Sequence, residues 1–130
     1  MDDSGHDWQE ERDGLRWRIE SRTLAEDRGR TLRVGPSGST LEWLRFDCFE
    51  RDPHWHLDPD GRDQIHSLRE SEDVVAEVFE RIQQDLPGLL VQAGADADAA
   101  RHARAGLEGD EGRRFLLAAE RALRHRPAVL

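Results

Sequence analysis

Asp52-Pro53-His54-Trp55-His56-Leu57-Asp58-Pro59-Asp60-Gly61-Arg62-Asp63-Gln64-Ile65-His66 is the stretch on which the reading of the fold turns. Proline suits the second position of a turn and glycine takes positive φ at no steric cost, so Pro59-Asp60-Gly61 reads as a three-residue hairpin loop. Asp58 then faces Arg62, His56 faces Gln64, Trp55 faces Ile65 and His54 faces His66. Side chains alternate along a strand, which gathers His54, His56, Gln64 and His66 on one face and Trp55, Leu57 and Ile65 on the other. The apolar face is a floor for helices. The histidine face is left open.

The residues before the hairpin continue the strand pattern. Leu15, Trp17 and Ile19 alternate with Arg16, Arg18 and Glu20, as in a half-buried strand. Thr31–Val34 forms a second strand, stopped by Gly35-Pro36-Ser37-Gly38-Ser39. Thr40–Phe49 is apolar at both parities, which predicts a central strand with both faces covered; Asp52-Pro53 then breaks or bulges it. His54–Leu57 and Arg62–Leu68 follow.

After Ser71 the apolar period lengthens. Val74, Val75, Val78, Phe79, Ile82 and Leu86 keep helical spacing, with Ser71 as N-cap and Glu72 and Asp73 in the first turn. Pro87-Gly88 interrupts, and Leu89–Val91 forms a short second helix ending near Gly94. Asp96–Ala105 and about Asp110–His125 complete the helices, the last burying Phe115, Leu116, Ala119, Ala122 and Leu123. Strands first and helices after predict an α+β class: an antiparallel sheet of four to five strands with C-terminal helices on one face. Residues 1–13 lack periodicity and read as a flexible acidic leader, and residues 14–130 as a single domain.

Composition narrows the function. The 130 residues carry a net charge of −9, which disfavours non-specific nucleic-acid binding. All 19 basic residues are arginine, and seven of them lie in residues 100–126. Arg121 and Arg124 on the last helix are therefore candidates for contact with a partner. One cysteine, Cys48, gives no disulfide framework and reads as a small buried hydrophobe. No apolar run approaches the roughly 20 residues of a membrane helix, and the acidic Met1-Asp2-Asp3-Ser4-Gly5 is the reverse of a secretory signal. The expected location is the cytoplasm.

Opposed Cβ atoms on paired strands lie about 4.5–5.5 Å apart, close enough for imidazoles to converge on one ion at about 2.0–2.1 Å. His54, His56 and His66 are thus the candidate ligands for zinc or another transition metal, with an open position of the catalytic kind. A tight turn over Glu50–Pro53 sets Asp47 opposite His56, where a carboxylate orients the imidazole or serves as a fourth ligand; Glu50 and Asp58 are alternatives. One bulged strand over residues 41–57 loses that pairing. Three imidazoles without metal would instead form a pH-sensitive surface patch.

His-x-His on one strand with a third histidine on its neighbour is similar to the zinc arrangement of alpha-class carbonic anhydrases and, more loosely, of cupins. The chain is too short for the anhydrase fold, and neither activity is carried over. Leu44-Arg45-Phe46-Asp47-Cys48-Phe49, Pro53-His54-Trp55-His56-Leu57-Asp58-Pro59, Leu86-Pro87-Gly88-Leu89-Leu90 and Ala93-Gly94 together resemble a small uncharacterised bacterial family, over roughly residues 30–95. An Arg-x-Asp strand, a Pro-His segment, a later histidine and an amphipathic helix look more loosely like the toxin of TumE-type toxin–antitoxin systems. That likeness implies ribonuclease activity, although the family's closing histidine cluster is reduced here to His66. Three function classes follow: a metal-dependent site on the hairpin; a non-enzymatic partner-binding protein or homodimer using the open sheet face; and a TumE-like ribonuclease.

Overall fold

The computed structural model describes residues 7–69 and 72–125. Six strands come first: β1 (Trp8–Arg12), β2 (Leu15–Thr23), β3 (Arg28–Pro36), β4 (Leu44–Phe49), β5 (His54–Leu57) and β6 (Gln64–Ser67). Three helices follow: α1 (Val74–Gln92), α2 (Ala97–Ala105) and α3 (Gly109–Arg124). The strands form one antiparallel meander in chain order, β1-β2-β3-β4-β5-β6. The expected α+β arrangement is present, with a sixth strand.

The added strand is β1, within the stretch read as a leader. Asp13 and Gly14, at φ 50° and 84°, make the two-residue turn that folds Arg12 back onto Leu15. Two positive-φ residues give a turn whose twist matches that of the strands, and Asp-Gly is the pair that tolerates it. Trp8 then packs on Phe115 at 5.7 Å, and Arg12 lies over the same ring while its Nε donates to the Gly106 carbonyl at 2.9 Å. Residues 1–6 of that leader lie outside the described residues, as does Ser71.

One sheet face carries the core. Leu15, Trp17 and Ile19 of β2, Leu32 and Val34 of β3, Leu44 and Phe46 of β4, and Trp55 and Leu57 of β5 are all buried. Helix α1 covers them with Val78, Phe79, Ile82, Leu86 and Leu90, and α3 with Phe115, Leu116, Ala119 and Leu123. Asp73, expected in the first turn of α1, is its N-cap and accepts the Ala76 N–H at 3.0 Å. The interruption at Pro87 is a kink: Asp85 leaves helical geometry and its carboxylate accepts the Gly88 N–H, opening a new first turn in which proline lacks only a donor the helix does not need. Buried Arg30 of β3 donates to the Ala122 carbonyl through Nε (3.2 Å) and Nη2 (2.8 Å), satisfying an acceptor in the last turn of α3. No helix among the described residues is long and apolar enough to cross a membrane.

The β5–β6 hairpin differs from expectation by one residue. Leu57 faces Gln64, His56 faces Ile65, Trp55 faces His66 and His54 faces Ser67. The loop is six residues long, 58–63, because Asp58 and Asp63 both take positive φ (56° and 49°) and the Asp58 carbonyl accepts the N–H groups of Gly61 and Asp63. A one-residue change of register exchanges the two faces of a strand. Ile65 is therefore on the open face, 60% exposed, and His66 lies on the helix side, stacked on Trp55 at 4.6 Å.

Candidate metal centre

The open face is built from rows that cross the strands. Pairing sets Glu20, Thr31, Asp47, His54 and Ser67 side by side, and beside them Arg18, Arg33, Arg45, His56 and Ile65. Three guanidiniums directly across from one another would repel. Here carboxylates are interleaved: Glu20 takes Arg18 (3.1 Å) and Arg33 (2.8 Å), Glu42 takes Arg33, and Asp47 takes Arg45 (3.3 Å). Burial pushes the Arg33 guanidinium down, but its bonds to Glu42 and Glu20 outweigh this and raise it, so it stays charged.

Asp47 is the centre of this face and only 1% exposed. Its Oδ1 accepts the Thr31 hydroxyl at 2.7 Å and Arg22 Nη1 at 3.2 Å. Its Oδ2 accepts Arg45 Nε at 3.3 Å and lies 3.2 Å from His54 Nε2 and 3.3 Å from His56 Nε2. Phe49 walls one side, edge-on to His54 at 5.7 Å with Arg22 over its ring.

The partners of the imidazoles fix their tautomers. His54 Nδ1 lies 2.7 Å from the Asp52 carbonyl, which can only accept, so the proton is on Nδ1. His56 Nδ1 lies 2.7 Å from the Asp63 carboxylate, which fixes the same tautomer. With Nδ1–H engaged behind each ring, Nε2 of both imidazoles faces Asp47 Oδ2. A carbonyl or carboxylate on the far nitrogen is the usual support of a metal-bound histidine. The three donor atoms lie within 4.8 Å of one another. A metal at about 2.1 Å from each needs edges of about 3.0–3.4 Å, and the two edges through Asp47 already have that length. Arg45 Nη2 donates to His56 Nε2 at 2.9 Å, so a guanidinium now supplies positive charge at one side of the cluster.

The loop that carries the Asp52 carbonyl is itself anchored. Asp27 accepts the N–H groups of Arg51, Asp52 and Arg28 at 2.9 Å each. Burial lifts the Asp27 carboxyl, yet those three bonds prevail and hold it below the usual carboxylate range.

Of the expected ligands, the structure brings together His54, His56 and Asp47, while the changed register separates His66 from them. Asp47 faces His54 where His56 was expected, two positions away and so on the same face. Glu50 instead pairs with Arg28 at 3.2 Å, and the Asp58 carboxylate accepts the Arg62 N–H inside the loop. Arg121 is exposed, and Arg124 is bound to Asp73 at 2.8 Å and to Glu120 at 3.2 Å. Cys48 lies across from Arg30, and burial pushes its thiol up to about 12. Sequence reasoning missed Arg22, Thr31, Arg45 and Asp63. The parity of Arg45 with Asp47 was visible; Asp63 was hidden by the shorter loop assumed.

A meander sheet with helices on one face and a histidine–carboxylate cluster on the other defines an α+β domain with a group of side chains that could hold a metal ion. The chain belongs to the family described as a domain of unknown function (DUF7700), which matches residues 12–110. The family carries no stated activity, and no curated protein and no solved structure matches the chain.

Proposed function

We propose that the open sheet face is a divalent transition-metal centre with Asp47, His54 and His56 as ligands. Zinc and iron(II) suit two imidazoles and one carboxylate, a set that leaves positions for water and substrate. The bound metal would supply Lewis acidity and an activated water. The observation that carries this reading is the orientation of the two rings: each Nδ1–H is spent on an acceptor behind it, and both Nε2 atoms then face one carboxylate oxygen at metal-ligand spacing. In the metal-free protein the Arg45 guanidinium holds this place, donating to both His56 Nε2 and Asp47 Oδ2, and a dication would take it over. Partner binding through Arg121 and Arg124 has less support, because Arg124 is already tied between α1 and α3.

The test is elemental analysis of untagged protein after equilibration with micromolar zinc or, without oxygen, iron(II). About one metal per chain is expected, lost in His54→Ala and kept in His66→Ala. Protein that retains no metal, or loses it equally in both variants, overturns the assignment.

A further inference from the structure

Two guanidiniums beside the cluster suggest its ligand. Arg22 and Arg45 both contact Asp47 on the open face, with side chains 25% and 22% exposed. Arg18 and Arg33 do not reach Asp47 and are matched by Glu20 and Glu42, whereas Arg45 has only a long 3.9 Å contact with Glu42 besides its bond to Asp47. A dication on Asp47, His54 and His56 would have one ligand carboxylate, which already accepts from both Arg22 and Arg45. Asp63 stands behind His56, Glu42 and Glu20 are shared with Arg33 and Arg18, and Asp52 is shared with Arg69, so the centre then carries surplus positive charge.

Metal binding also has a consequence for Arg45. Its Nη2 donates to the very lone pair of His56 that the metal needs, so the guanidinium must turn away when the metal enters. A released guanidinium beside a metal with open positions presents a planar fork of N–H donors suited to two oxygens at once. The hollow on the other side of His54 is lined by Glu26, Asp27 and Asp52 as well as Leu24, Phe49 and Arg51, so its carboxylates direct an anion to the arginine side of the cluster.

We propose, resting on the metal reading, that the centre binds a small oxyanion, a carboxylate or phosphate group, with one oxygen on the metal and the others on Arg45 and Arg22. Arg45 is accordingly a counter-cation of the metal-free protein and a ligand-binding residue of the metal-loaded one.

The experiment is calorimetric titration of zinc-loaded and zinc-free protein with inorganic phosphate and with benzoate, the two arms separating a phosphoryl ligand from a carboxylate. Binding of at least one probe is expected only with zinc present. Arg45→Gln and Arg22→Gln should each weaken it tenfold or more at unchanged zinc stoichiometry, and Arg45→Gln should tighten zinc itself. Thermal melts confirm that the variants fold, and Arg22→Gln carries the test should Arg45→Gln fail to. A wild type that binds zinc but neither probe overturns this inference alone. So does equal probe affinity without zinc, or with both arginines replaced. A wild type that takes no zinc overturns the metal reading and this inference with it.

Discussion

Replacing Asp47 by alanine removes the acceptor on which the open face is organised. The Thr31 hydroxyl, on a residue 0% exposed, loses its partner, and a buried hydroxyl left unsatisfied costs about 1–3 kcal/mol. The bonds from Arg22 and Arg45 are charge-assisted, worth about 1.5–3 kcal/mol each when shielded. Both arginines keep about a quarter of their side-chain exposure and regain water, so much of that is recovered. The net cost is about 3–4 kcal/mol, in line with breaking a buried ion pair. Asp47→Asn keeps Oδ1 as an acceptor for Thr31 and Arg22, so about half that cost is expected. In a domain of this size 1 kcal/mol moves the midpoint by about 3–5 °C, so metal-free Asp47→Ala should melt about 10–20 °C below wild type and Asp47→Asn about midway. Urea unfolding of both variants supplies the check. An alanine variant within about 1 kcal/mol of wild type would show that Asp47 stands in water and that the network stabilises nothing. Equal losses in the two variants would remove Thr31 from the account.

Asp63→Asn weakens the acceptor behind His56 and should lower zinc affinity about 10–100-fold with one site retained at saturation, read by competition with a chromophoric chelator. Asp73 is held below the usual carboxylate range by its bonds from Arg124 and the Ala76 N–H. A depressed folded pKa means stability that is present above about pH 4 and lost as pH falls through the folded value. Asp73→Asn should therefore flatten the acid limb of unfolding below about pH 4, and an unchanged limb would exclude the pair; Asp73→Ala should in addition lose about 1 kcal/mol of capping, measured by urea unfolding. The Cys48 thiol, pushed up to about 12, should resist alkylation at pH 8 in the folded protein and react at once in urea; rapid labelling of folded protein would contradict its burial. Gly29→Ala places a Cβ 2.2 Å from the Cys48 carbonyl oxygen, so β3 and β4 must part beside Asp47; a loss of about 2 kcal/mol or more by thermal melt is expected.

How much of this was legible follows from the parity of a strand. Asp47, His54 and His56 were placed on one face under a β4–β5 register that was wrong by two positions, and two positions restore the face. His66 was lost to an error of one. The turn was read from its glycine, but the loop is set by its aspartates: Asp58 and Asp63 take the left-handed conformation that a short polar side chain tolerates, and the chain gains the residues that put Gln64 opposite Leu57. Composition gives no warning of that, since either loop uses the same Pro-Asp-Gly. The sheet-then-helix order and the helix faces rested on many residues each and survived local errors, whereas β1 was missed because Gln9, Glu10 and Glu11 gave its five residues no apolar alternation. Arginines were read as charge alone. On this face their spacing is the information: Arg45 shares parity with Asp47 and faces His56 across the strand pair, so the cation that competes for the histidine and the carboxylate that attracts a metal are set by the same alternation.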